Sequence, residues 1–187
     1  MQVRGIMYKH CTSEAGALRQ RNLEQCLLEL MTERPLEQIT VGDISARAGI
    51  SRKSFYRYFD SKDSCLHALL DRAIMNGPTY CIPESGSRSP SLDTCCRVFE
   101  YWQTQRPLLD AMFRNGQGEQ ILQRAVRCIL EEEPEYARIM GVRAEDVLEE
   151  IVFTVSGGIG LIFTWHQTNY QKTPGQMGAI LYRLMHR

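Results

Sequence analysis

The run Ser51-Arg52-Lys53-Ser54-Phe55-Tyr56-Arg57-Tyr58-Phe59 concentrates side chains able to hold an anion or read a base edge. With helical period, Ile50, Phe55 and Phe59 fall inward, and Arg52, Lys53, Ser54, Tyr56 and Arg57 fall outward. The outward set combines long cationic donors, a hydroxyl and an aromatic ring. That chemistry suits phosphate oxygens and the donor and acceptor edges of the DNA major groove. Elsewhere the chain has no nucleophile-elbow pattern, no metal-spaced His/Cys cluster and no nucleotide-binding signature. An enzyme is therefore not expected, and neither a metal nor a cofactor.

Two short helices must hold these residues in place. Thr40 followed three residues on by Asp43 has the form of a capping box that opens the first. Ile44 and Ala48 are its inward positions, Gly49 supplies the turn that ends it, and Ser51 caps the second. Two helices crossing over a glycine-containing turn form a helix-turn-helix. Upstream, Leu23, Cys26, Leu27, Leu30 and Met31 mark one face of an amphipathic helix that should stop at Pro35.

Charge supports this reading only when it is taken segment by segment. The 187 residues hold 22 Lys+Arg and 22 Asp+Glu, and a neutral chain argues against nucleic acid as a partner. Residues 1–76 carry 11 cations against 9 anions, and residues 77–187 carry 11 against 13. Between Val41 and Lys62, Arg47, Arg52, Lys53, Arg57 and Lys62 face only Asp43 and Asp60. The basic charge thus gathers in one small motif, as in a DNA-binding footprint. Arg47 reads as a solvated charge and Asp43 as a cap.

The pattern I-T-x-x-D-I-S-x-x-A-G-I-S-R-K-S-F-Y-R-Y-F-x-S-K-x-x-C-L over residues 39–66 resembles the N-terminal domain of TetR-family transcriptional regulators. With the preceding helix, the likeness covers residues 18–70. It implies an all-α fold, with a helix-turn-helix DNA-binding domain at 1–62 and a helical regulatory and dimerisation domain at 63–187. It also implies roles. Arg52, Lys53 and Ser54 would face bases and nearby phosphates, and Thr40 would touch phosphate from the first helix of the motif. Tyr56 would meet a phosphate or a thymine methyl, and Tyr58 the DNA backbone. Lys62 would add its charge to a helix N-terminus at one phosphate. The alternative for Tyr56 and Tyr58 is half-buried packing. Val41 and Gly42 stand where family members often place polar, base-contacting side chains, so more of the base reading falls to Arg52 and Lys53.

The remaining two thirds also has helical period, with no sustained alternation that would mark a strand. A Pro-, Gly- and Ser-rich stretch at about 77–91 reads as a loop. Helices are expected over PLLDAMFRN, EQILQRAVRCILEE and about 144–168, the last containing the uncharged run from Ile151 to Trp165. That run is shorter than the roughly 20 residues a membrane crossing needs, so it should be buried by its own domain and a partner subunit. Thr173, Pro174 and Gln176 should open a final helix over about 174–186. The stretch GGIGLIFTW followed by K-T-P-x-x-M resembles the TetR subgroup that includes the dihydroxyacetone-kinase coactivators.

The family resemblance implies a homodimer through the last two helices and a palindromic double-stranded DNA operator. It further implies repression relieved by a small-molecule effector, with a protein-binding coactivator as the rival reading. Phe99, Trp102, Met112, Phe113, Phe153, Phe163, Trp165 and His166 are pocket candidates, although an aromatic stripe at helical spacing equally forms core. The cysteines at 11, 26, 65, 81, 95, 96 and 128 form no C-x-x-C pair, so reduced core thiols are expected. The adjacent Cys95 and Cys96 are the one candidate redox pair. No N-terminal run resembles a signal peptide, and the expected compartment is the cytoplasm, with no membrane partner.

Overall fold

The computed structural model describes residues 13–78, 90–131, 137–138, 141–143 and 145–186. Among them it is helical, with no strand, as the periodicity predicts. The helices are α1 (Glu14–Glu33), α2 (Val41–Arg47), α3 (Arg52–Phe55), α4 (Lys62–Asn76), α5 (Leu92–Thr104), α6 (Arg106–Arg114) and α7 (Gly118–Leu130). They are followed by α8 (Val147–Gln167) and α9 (Pro174–Met185), and a single 3-10 turn spans Leu36–Gln38. The start expected at Ala144, the centre of the 77–91 loop, Cys11 and Cys81 lie outside the described residues.

One compact unit runs to Arg72 and takes in Pro107–Gly118. Its core is the face expected of α1, with Leu23, Leu27, Leu30 and Met31 buried together with Ile39, Ile44, Phe55, Phe59, Leu66 and Leu70. Ser13 caps α1 by accepting from Gly16 N–H, and the helix ends at Glu33, two residues before Pro35. Its last carbonyls are not left to solvent. Arg114 Nη1 donates to Thr32 O at 2.8 Å, and Asn115 Nδ2 donates to Met31 O and Ala111 O. The unit continues past residue 62, where the functional boundary is expected, because α4 supplies part of this core. Arg72 also closes a bidentate pair on Glu24, at 2.7 and 2.8 Å. Glu24 is 2% exposed, and so buried a carboxylate demands such a partner.

The other unit comprises residues 73–106 and 119–187. Here α9 packs along α5. Gly178 makes that contact close, since a Cβ there would fall 2.6 Å from the Cys96 Cα. The expected start of α9 is present in full. Thr173 accepts from Gln176 N–H, the Gln176 side chain accepts from Thr173 N–H, and Pro174 occupies the first turn.

Helix α8 buries one stripe, Val147, Ile151, Val155, Ile159, Ile162 and Trp165. Trp165 donates from Nε1 to Lys172 O at 2.8 Å and meets the Phe99 ring edge-on at 5.5 Å. Phe153 is 79% exposed, and Leu148 and Val152 are exposed as well. The helix therefore continues well beyond the uncharged 15-residue run. By length and composition alone it could cross a membrane. Its buried stripe and the Glu149–Glu150 pair in its first turn are what a packed helix shows.

Candidate nucleic-acid interface

The expected pair of short helices across a turn at Gly49 is present, with caps at Thr40 and Ser51. The capping box at Thr40 is complete: Asp43 N–H donates to Thr40 Oγ1, and Thr40 N–H donates to Asp43 Oδ2 at 2.8 Å. Thr40 Oγ1 also donates to Asp43 Oδ2 at 2.7 Å. Arg34 adds an ion pair to Asp43 Oδ1 at 3.0 Å. The Thr40 hydroxyl, the Thr40 N–H and the Arg34 guanidinium together hold the Asp43 carboxyl down at about 2. The phosphate contact expected of Thr40 thus finds both of its donors already engaged within the turn.

Helix α2 ends at Arg47 with Ala48 as its C-cap, and Gly49 takes φ +66°, a conformation that glycine reaches without strain. Ser51 then caps α3, its Oγ accepting from Ser54 N–H at 3.1 Å. Only four residues are α-helical. The hydrogen bonds Tyr58 N–H to Phe55 O and Phe59 N–H to Phe55 O carry the turn onward to Phe59. Phe55 and Phe59 are fully buried with ring centroids 5.7 Å apart, and they anchor this short segment from beneath. Ile44 is buried as expected, whereas Ala48 and Ile50 are half-buried.

On the opposite face Arg52, Lys53, Tyr56 and Arg57 are exposed, while Ser54 and Tyr58 are half-buried. Tyr56 rests edge-on against Phe55 at 5.7 Å and still leaves 48% of its surface open, so it serves as both packing and surface. The Arg52 guanidinium lies against α2 at Gly42: a Cβ at position 42 would stand 2.5 Å from Nη2 and 2.9 Å from Nε. Sequence reading missed this contact, because it joins two helices across the turn.

Lys62 is engaged within the chain. Its Nζ donates to Leu36 O at 2.7 Å and Ile39 O at 3.0 Å, with Glu37 O at 3.5 Å. It thereby ties the start of α4 to the carbonyls of the 3-10 turn and of Ile39. The N-terminus of α4 is closed by Ser61 and Ser64, each accepting the other's N–H. Arg47 is likewise engaged, bonding Glu33 at 2.7 Å and Glu29 at 3.5 Å, so it ties α2 to α1. The surface cations left to the motif are Arg52, Lys53 and Arg57.

The pocket candidates fall in both units. Phe99, Trp102 and Trp165 are buried core of one unit, where Phe163 and His166 are half-buried. Met112 and Phe113 belong to the other unit. Phe153 projects from the side of α8 opposite the buried stripe and is largely exposed among the described residues. His166 stacks edge-on with Tyr170 at 5.7 Å. The redox pair is also changed. Cys95 is buried, and burial, then Glu100, push the Cys96 thiol above its ordinary range. Among the described residues no cluster could hold a metal ion.

Residues 27–69 match the model of the bacterial regulatory proteins of the tetR family. A 45-residue stretch is 51% identical to the HTH-type transcriptional regulator EthR of Mycobacterium tuberculosis, covering 24% of this chain and 21% of that protein. The chain thus matches about a fifth of the length of that relative. Over about nine tenths of the chain, solved structures share the fold. A TetR transcriptional regulator from Rhodococcus sp. RHA1 is 18% identical with TM-score 0.57, covering 91% of this chain and 94% of that one. A tetR-family regulator from Streptomyces coelicolor is 20% identical with TM-score 0.55, covering 89% and 78%. Residues 27–69 are thus similar to tetR-family regulatory proteins, and the chain shares the all-helical fold of these solved structures.

Proposed function

We propose that this protein is a transcriptional regulator of the TetR type, a homodimer that binds a palindromic operator and represses. The observation that carries the reading is the exposed Arg52, Lys53, Tyr56 and Arg57 face, held over a buried Phe55–Phe59 base by two capped helices. A short rigid segment bearing donors on one side is what major-groove reading requires. The coactivator reading loses ground for the same reason, since a protein that had abandoned operators would have no need of this basic face. The compartment that goes with this function is the cytoplasm.

Dimerisation is assigned to α8 and α9. Phe153, Gly157, Gly160 and Thr164 recur at helical spacing on the side of α8 opposite its buried stripe, and a Cβ on Gly157, Gly158 or Gly160 would meet nothing within 4 Å. These glycines are therefore not spent on packing within the chain, and a two-fold partner helix is the natural occupant. Effector control is assigned to the α5–α8 region around Phe99, Trp102, Trp165 and His166. A ligand there acts only through different affinities for the DNA-competent and incompetent states.

The test is selection of bound DNA from a random pool, with light scattering in parallel. Recovery of an inverted repeat by a dimer is expected. A pool that stays random, or a monomer at the concentrations of binding, would refute the reading.

A further inference from the structure

Gly42 sits on α2 beneath the guanidinium of Arg52, the first residue of α3. A Cβ at position 42 would lie 2.5 Å from Nη2, 2.9 Å from Nε and 3.0 Å from Cζ, inside van der Waals contact with all three. The obstructing atoms are the far end of a flexible side chain, and the glycines with left-handed φ are Gly49, Gly116 and Gly141, not Gly42. Backbone conformation thus asks for no glycine here, and a helix ordinarily prefers alanine. What Gly42 supplies is space. At this point on its surface α2 presents a cation that belongs to α3. A planar guanidinium seated on the helix has less rotamer freedom to lose when it meets a base edge.

We propose that Gly42 is a specificity-determining position that acts through Arg52, seating its guanidinium for bidentate recognition of a guanine edge in the operator. The inference rests on the operator-binding reading above. Gly42 touches no base itself, so it is a positioning residue, and any side chain at 42 must move Arg52 while leaving the fold standing.

The experiment compares wild type, Gly42→Ala, Arg52→Ala and the double variant in selection from random DNA. Affinities are then measured on the wild-type site and on the site substituted at the affected base pair. Gly42→Ala should keep or raise the melting temperature and change base preference at one or two positions per half-site. There the wild-type discrimination, expected at about 5- to 150-fold for a bidentate pair, should fall most of the way to one. In the Arg52→Ala background the glycine substitution should change that preference no further, because both variants remove the same interaction. Retention of the wild-type motif by Gly42→Ala, or independent effects of the two substitutions, overturns the inference and leaves operator binding intact. A lowered melting temperature with equal loss on all sequences also overturns it, by making Gly42 structural. If the wild type selects no sequence, this inference and the operator-binding reading fail together.

Discussion

Lys62 shows how one side chain's role turns on contacts distant in sequence. The family resemblance implies a phosphate anchor, yet the Lys62 ammonium donates to the carbonyls of Leu36 and Ile39. Lys62→Met should therefore cost about 1–3 kcal/mol of stability through the loss of charged hydrogen bonds. It should leave the salt slope of DNA binding unchanged, whereas an anchoring lysine would lower that slope by about one unit. Denaturant unfolding and binding across a salt series separate the two outcomes. Asp43 offers a second check by pH. Its carboxyl is held at about 2, below the ordinary 3.8, so its contribution to stability is present above about pH 4 and is lost as the pH falls toward 2. The stability difference between wild type and Asp43→Asn should shrink across that window. A constant difference would show that the capping box does not depend on the charge.

At the scale of elements, most of the fold was legible because its signals are local. The Thr40–Asp43 and Thr173–Gln176 boxes, the stop before Pro35, the Gly49 turn and the α1 stripe each rest on residues within a few positions of one another. Within the site, the inward Phe55 and Phe59 and the outward Arg52, Lys53 and Tyr56 follow from the same periodicity. What could not be read are contacts across the turn or beyond it: the Gly42–Arg52 approach, the engagement of both Thr40 donors and the Lys62 hydrogen bonds. The close fit of α9 on α5 belongs with them. Glycine weakens a helix by propensity alone, but at Gly178 a Cβ would lie 2.6 Å from the Cys96 Cα and 2.7 Å from its backbone N. Backbone cannot step aside as the Arg52 side chain can. Gly178→Ala should thus destabilise by about 1–3 kcal/mol despite its better helix propensity, the reverse of what Gly42→Ala should do. Thermal unfolding of the two variants side by side decides it. A Gly178→Ala protein as stable as wild type would mean that the α5–α9 contact is looser than described.

At the scale of the molecule, net neutrality makes non-specific attraction to DNA modest, and the proposed dimer would double a few placed contacts by symmetry. That places weight on α8. A helix apolar on every side does not announce which face its own chain covers, so the exposure of Phe153 could not be read from the sequence. With 79% of its surface open, Phe153 can be changed without disturbing its own chain. Phe153→Glu should leave helix content and melting of the isolated chain unaltered. It should weaken the dimer by at least about 30-fold, since burying an unpaired carboxylate in an apolar interface costs about 2 kcal/mol or more. Operator affinity should fall with it, because one recognition segment alone holds only half of the inverted repeat. Sedimentation over a concentration series measures the first effect, and binding to full and half operators the second. A variant that dimerises as tightly as wild type would remove this face of α8 from the interface and require the two-fold contact to be sought elsewhere on the chain.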